Sequence, residues 1–411
     1  MDRITQILVA ALLLPALLFS QETMTEWLPV QVDVVYLASD DLQGRETGTE
    51  GERLAAEYIA RRFAQIGLKP YAAGNAATWY QPFDFVYKSN PHAEKGEDRT
   101  GKNVIGYIDN GADRTVVVGA HYDHLGMGGF GSRHLGEPAI HNGADDNASG
   151  VAGMLRIAEK LKASPARHNN YLFIAFSGEE LGLYGSKYFA QHPVFSLENV
   201  NYMLNLDMVG RLNEEGVLAV NGAGTSPAWK TALEAVAPDA IQVKTNDSGI
   251  GPSDHTSFYL EDIPVLHFFT GQHEDYHKPE DDSPLVNYDG IVLVTDLIVD
   301  LIEKLDPEGE LAFTKTKDEQ EGRQAASFKV TLGVMPDYVY SDEGMRIDGV
   351  MEDRPAQKAG MKKGDVIVRM GEVEVKDIYD YMEGLALYKK GDKAKVVVKR
   401  GKEELTFDVE F

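Results

Sequence analysis

Residues 171–186 read YLFIAFSGEELGLYGS, an apolar run that breaks at Ser177-Gly178 and then presents two adjacent carboxylates, Glu179 and Glu180. A strand that is apolar at every position, rather than at every second one, must be covered on both faces, as strands in parallel sheets are. Runs of the same kind occur at Asn103–Ile108, Thr115–Gly119, Tyr202–Leu206 and Pro264–Phe269, beside that of Tyr171–Ser177. Helical spacing of apolar residues lies between or around them, at Glu52–Ile66 (closed by Gly67), Ala148–Leu161, Lys187–Gln191 and Val286–Leu305. Strands alternating with helices predict an α/β domain whose sheet is largely parallel and sandwiched between helices.

In such sheets ligands bind beyond the carboxyl ends of the strands. His121 follows VVVGA, Glu179 and Glu180 follow FIAFSG, and Asp207 follows MLNL, so one rim collects them. Asp145, in NGADDNASG, and His277, in DYHKPEDD, complete a set of two imidazoles and several carboxylates. Zinc takes these donors, and two such ions can clamp a tetrahedral intermediate. The expected arrangement gives one Zn2+ His121 and Asp207, the other Glu180 and His277, with Asp145 bridging. Glu179 is left as general base, and Asp123, two residues after His121, as the acceptor that orients that imidazole. Taken singly, each of these residues is more often a loop or cap residue than a ligand. Glu179-Glu180 also reads as a helix-start charge pair, and Asp145-Asp146-Asn147 as a turn and N-cap. The ordered set outweighs those readings.

Other patterns compete poorly. HEDYH (273–277) matches a helical zinc motif, but Gly271 precedes it and Pro279 follows, which favours a loop with His277 alone as ligand. Gly126, Gly128 and Gly131 fit G-x-G-x-x-G with no helix after them, so a loop at the site's edge is expected. Ser253-Asp254-His255 reads equally as a pocket segment or a helix N-cap, and no G-x-S-x-G elbow supports a serine hydrolase.

The 411 residues carry a formal net charge of −25, which repels nucleic-acid phosphates. Cysteine is absent, excluding disulfides, a thiol nucleophile and thiolate ligands. Arg3, apolar Ile4–Phe19 and small Ser20 read as an export signal over 1–20. Pro15 and the short length argue against a stable membrane span, so a periplasmic or secreted protein is expected. The main domain is placed at 21–305, and the polar stretch 306–327 reads as a linker. A smaller β-rich unit fills 328–411.

With those motifs in place, Leu37–Leu305, including LASDDLQGRETGTEG, resembles the M28 family of zinc aminopeptidases with two co-catalytic metals. The resemblance implies a mixed, mainly parallel zinc-exopeptidase-like sheet and the ligand set His121, Asp145, Glu180, Asp207 and His277. It also implies Glu179 as base, a cis peptide joining Asp145 and Asp146, and peptide substrates with a free N-terminus. His141 stands where relatives often have Tyr and is left out of the metal site. The segment IDGVMEDRPAQKAGMKKGDVIVRMGEVEV resembles the PDZ signature at Pro355, Ala359, Gly360, Gly364 and Asp365. Thr331-Leu332-Gly333-Val334 is then the loop for a partner peptide's C-terminal carboxylate, or the unit simply packs. Three alternatives stand beside an aminopeptidase: a carboxypeptidase using Arg211, a one-zinc glutaminyl cyclase, and an inactive peptide-binding scaffold.

Overall fold

The computed structural model describes residues 26–73, 76–88, 95–129, 131–134, 136–316, 330–336, 340, 342–350, 354–376 and 378–411. The expected export signal lies outside the described residues, as does the second half of the expected linker. Among the described residues, no helix is long and apolar enough to cross a membrane.

The apolar runs form the centre of a ten-stranded sheet. Its strands are β1 (Lys69–Ala73), β2 (Ala76–Thr78), β3 (Tyr80–Tyr87), β4 (Glu97–Ile108), β5 (Arg114–His121), β6 (Asn169–Phe176), β7 (Val200–Leu206), β8 (Val217–Asn221), β9 (Gln242–Asn246) and β10 (Val265–Phe269). The order is β2-β1-β4-β6-β5-β7-β10-β8-β9, with β3 also on β4. The inner strands β6, β5, β7 and β10 are mutually parallel. Antiparallel pairs β4–β6 and β10–β8 flank them, so the sheet is mixed. Every residue of β6, β7 and β10 is buried, as their uniform hydrophobicity requires.

Successive side chains leave the sheet on opposite faces. Val116, Val118, Tyr171, Phe173, Tyr202 and Leu204 enter one core, while Val117, Leu172, Ile174 and Met203 enter another. The first core takes a helix over 26–37 (α1), α2 (Glu50–Ile66), α3 (Gly150–Ala163), α5 (Trp229–Val236) and α7 (Tyr288–Leu305). The second takes α4 (Tyr184–Gln191) through Phe189 and α6 (His255–Tyr259) through Phe258. α2 ends at Gly67, whose φ of 85° suits a residue without a Cβ.

The expected linker begins later than its polarity suggested. Asp306 accepts hydrogen bonds from the amides of Arg167 and His168, both at 3.0 Å. Leu311 donates to Asn201 (2.8 Å) and Thr316 to the Tyr259 hydroxyl (2.9 Å). Residues 306–316 therefore belong to the first domain.

The C-terminal unit is a six-stranded antiparallel sheet with the helices Pro355–Ala359 and Ile378–Ala386. Its own core gathers Leu332, Ile347, Ala356, Ile367, Met370, Val396 and Val398. Asp365 accepts from Arg400 at 2.6 Å, and Gly360 closes the first helix at φ 92°.

Candidate metal centre

Strand register sets the site. His121 ends β5 opposite Phe176 of β6, and Gly119 lies abreast of Asn205 of β7, which puts Asp207 level with His121. Glu179 and Glu180 follow β6 directly, and His277 comes from the loop after β10. His277 adopts φ 58° there.

The carboxylate at the centre is Asp146. Its Oδ1 lies 3.2 Å from His121 Nε2 and its Oδ2 3.2 Å from His277 Nε2. Asp207 Oδ1 is 3.3 Å from His121 Nε2, and Glu180 Oε2 is 3.2 Å from His277 Nε2. Two clusters of donors thus share one carboxylate. The expectation that Asp145 bridges is corrected. Asp145 Oδ1 instead accepts from the Gly210 amide (2.6 Å) and the Ser149 hydroxyl (2.9 Å), and its Oδ2 lies 3.3 Å from His273 Nε2. Its carboxylate ties the turn to neighbouring loops and has no share in the cluster. The cis peptide likewise joins Asp146 to Asn147, not Asp145 to Asp146.

The turn carrying Asp146 is held from several sides. Asp281 accepts from the amides of Asp145 and Asp146, both at 3.0 Å. Asn147 Oδ1 accepts from Gly150 and Met208, fastening the start of α3 to the end of β7. Gly143, at φ 55°, admits the His124 ring and the Asp146 carbonyl where a Cβ would collide with both. Arg45 is fully buried and donates to the carbonyls of Leu37, Tyr122 (2.8 Å), Asn142 (2.6 Å) and Gly143 (3.0 Å). Burial lowers its pKa to about 10, against the pull of Asp123, Asp146, Asp281 and Glu180. This gives the LASDDLQGRETGTEG segment its structural purpose.

Asp123 keeps its place beside the His121 ring and has a second task as well. Its carboxylate stands 3.7 Å from His121 Nδ1, which donates instead to the Asp123 backbone carbonyl at 3.3 Å. Its Oδ1 accepts from the Glu179 amide (3.2 Å) and its Oδ2 from Thr47 (3.0 Å), so it positions Glu179 through the main chain.

Burial and charge act together here. Burial would raise Asp146, but hydrogen bonds from His121 and His277 and the nearby His124 hold it well below the usual range. Glu180 is likewise pulled down to about 2, burial being outweighed by His277 and His124. Burial raises Glu179 well above its ordinary value; His121 opposes, while Asp207, Glu180 and Asp254 add to the rise. Asp254 rises to about 7, again through burial and despite His121. Buried carboxyls outnumber the imidazoles, a balance that suits added cations.

His124, three residues after His121 in HYDHLG, was missed from sequence. Its Nδ1 lies 2.7 Å from Glu180 Oε1, and it forms a donor group with Asp146 and Glu180. A second imidazole so near the first was the available signal. Ser253 donates to Asp207 Oδ2 at 2.6 Å, so its segment serves the site, while Asp254 sits at the N-cap of α6 without a capping bond. His273 and His277 occupy a turn rather than a helix and face different carboxylates. His141 pairs with Ser132 at 2.7 Å, apart from the cluster. Arg211 is engaged by Asp275 (3.1 Å) and Asp281 (3.3 Å).

Residues 103–302 match the model of peptidase family M28, and residues 316–411 match that of the PDZ domain. The chain carries an M28 peptidase domain followed by a PDZ domain. Aminopeptidase YwaD of Bacillus subtilis (strain 168) is 31% identical over 197 residues, covering 44% of this chain and 39% of its own. The alkaline phosphatase isozyme conversion protein of Escherichia coli (strain K12) is 32% identical over 146 residues, 35% of this chain and 40% of its own. The chain thus spans about two fifths of the length of these curated relatives. Among solved structures, the zinc aminopeptidase BSAP from Bacillus subtilis superposes with a TM-score of 0.52 at 21% identity, over 69% of this chain and 94% of that one. The glutaminyl cyclase of Bacteroides thetaiotaomicron, bound to N-acetylhistamine, gives 0.54 at 18% identity, over 67% and 97%. At these identities both show the fold of the M28 domain alone.

Beside the cluster, the M28 domain forms a partly open cavity of about 80 Å3 whose lining includes Glu179, Met208, Asn221, Pro252, His267, Phe269, Gln272 and Tyr276, together with the cluster residues. Among the described residues, neither Lys nor Arg lines it.

Proposed function

We propose that this chain is an exported aminopeptidase holding two zinc ions, one on His121, Asp146 and Asp207, the other on His277, Asp146 and Glu180. The observation that carries the reading is the Asp146 carboxylate set between two imidazole–carboxylate pairs. Donor separations of 3.2–3.3 Å fit tetrahedral zinc, whose bonds of ~2.0–2.2 Å put neighbouring donors roughly 3.3–3.6 Å apart. Zinc bound there supplies an acidified water and a polarised scissile carbonyl.

The protein's own part is proton transfer and orientation. Glu179, half-buried beside both donor groups with a raised pKa, takes the proton of the attacking water and returns it to the leaving amine. The small cavity takes a single terminal side chain against Met208, Phe269 and Tyr276. Its excess of carboxylates favours a free α-ammonium, and buried Gln272 Oε1, which has no hydrogen-bond partner, can accept from it. A carboxypeptidase needs a cation there, and Arg211 is committed to Asp275 and Asp281. The apolar Ile4–Phe19 segment supports export. For the PDZ domain, the proposed ligand is a peptide C-terminus at Leu332-Gly333-Val334.

The test compares free, N-acetylated and N-terminal-Gln peptides before and after chelation, with metal counted by mass spectrometry. Hydrolysis confined to free amines, abolished by chelator and restored by zinc, with two zinc ions per chain, supports the reading. Cleavage of acetylated peptides or release of pyroglutamyl product would replace it. Glu179→Ala should keep its zinc and lose turnover by about 10²–10⁴-fold; normal turnover removes Glu179 from its role.

A further inference from the structure

The cavity beside Glu179 shares Glu180 with a second, larger space of about 610 Å3. This groove is walled by Val86 and Tyr87 of β3, by Leu125 and Leu181, and by Tyr184 at the start of α4, and His124 lines it as well. Val86 is 51% and Tyr184 39% exposed, although both present mainly apolar surface. The walls are built rather than incidental. Tyr87 donates to Glu46 Oε1 at 2.7 Å, Arg99 lies 3.6 Å above the Tyr87 ring and pairs with Glu46 at 2.8 Å, and the Tyr184 ring packs on Phe85 at 5.4 Å. Glu46 is thereby committed to the wall and is no free anion for a cationic ligand.

We infer that this groove receives the residue following the scissile bond and selects a large apolar or aromatic side chain there, an inference that rests on the aminopeptidase reading. A peptide whose terminal residue fills a cavity of about 80 Å3 must send the rest of its chain through another opening. The groove that shares Glu180 is that opening, since the bond to be cut lies at the cluster. Its occupant is therefore continuous with the substrate already in the site, and its walls offer mainly hydrocarbon and rings, with the exposed ammonium of Lys88 also among them. Fully desolvating a Phe side chain is worth roughly a ten- to hundred-fold preference over Gly.

The experiment measures kcat/KM of the zinc-loaded full chain for leucine amide, Leu-Gly-amide and Leu-Phe-amide, repeated in Tyr184→Ala and Val86→Ser. The expected result is a preference for Leu-Phe-amide over Leu-Gly-amide of roughly that size, falling several-fold in both variants. Leucine amide has nothing to place in the groove, so damage to folding or to the metal centre lowers all three substrates together and leaves the Phe-to-Gly ratio intact. A ratio near one in the unsubstituted enzyme, or a ratio unmoved in both variants, overturns the subsite while the aminopeptidase reading stands. No turnover of any of the three overturns the reading and the subsite with it.

Discussion

The turn before α3 carries two neighbouring aspartates with different tasks, and substitution should separate them. Asp146→Asn removes the carboxylate common to both donor groups, and the expected outcome is loss of bound zinc in mass spectrometry and of all hydrolysis. Asp145→Asn leaves the cluster's donors in place but weakens the hold on Gly210, Ser149 and His273; it should retain zinc while losing about 1–3 kcal/mol of stability in thermal melts. The opposite pattern would return the bridge to Asp145. His124 is the second case. Its Nδ1–H, donated to Glu180 Oε1, leaves Oε2 turned toward His277, so His124→Ala should weaken zinc affinity about 10–100-fold in calorimetry. His124→Asn, which can keep a donor near the same place, should recover much of it; equal losses in both variants count against the hydrogen bond. Sequence placed His121, Glu179, Glu180 and Asp207 on one rim because strand ends can be counted from hydrophobicity, and it found His277 through its DYHKPEDD motif. It could not separate Asp145 from Asp146. That choice depends on backbone angles in the turn and on the Gly210 amide, 65 positions away. The two-residue spacing from His121 to Asp123 likewise does not say whether the carboxylate or the carbonyl lies nearer the ring.

Among the elements, the inner strands were legible because uniform burial leaves a uniform apolar record. β4 was foreseen only over its buried second half, Asn103–Ile108; the first half, paired with β3 at the exposed edge, has a mixed pattern that no single period marks. The start of the linker was misplaced because polarity was read as solvation, whereas Asp306 is polar and 4% exposed. Its carboxylate receives two amides and the His168 ring (2.8 Å) at the end of α7, anchoring the loop that leads into β6. Burial pushes the Asp306 pKa up, but hydrogen bonds from His168 and the backbone amides bring it below the ordinary 3.8. A carboxyl depressed in the folded state adds stability above the unfolded pKa, and that stability fades as pH falls through the folded value. Asp306→Asn should therefore cost on the order of 1 kcal/mol at neutral pH and progressively less below about pH 4, read from denaturant midpoints across pH. A cost that stays constant from pH 7 to pH 3 would mean the charge is not what matters.

At the scale of the whole molecule, the question is whether the two units stand separately. The buried cluster of the C-terminal unit runs from Leu332 to Val409 and shares no member with the clusters of the M28 domain, whose last buried member is Leu311. Phe313 packs against the M28 domain, and Thr314 donates to Thr225 at 2.8 Å, so among the described residues the first unit extends to Thr316. Among the described residues, none of the cluster or cavity residues lies beyond His277. A chain ended after Thr316 is expected to keep its zinc, its melting temperature to within a few degrees, and its kcat/KM for leucine amide, because core, donors and cavity all remain. Ending it before Asp306 should do harm, since the amides of Arg167 and His168 then lose their acceptor and Asn201 loses the Leu311 amide. If truncation at 316 unfolds the M28 domain, the two units depend on one another for stability. If it leaves folding intact but slows cleavage of long peptides more than of leucine amide, the PDZ domain contributes to substrate capture and not to the chemistry at Asp146.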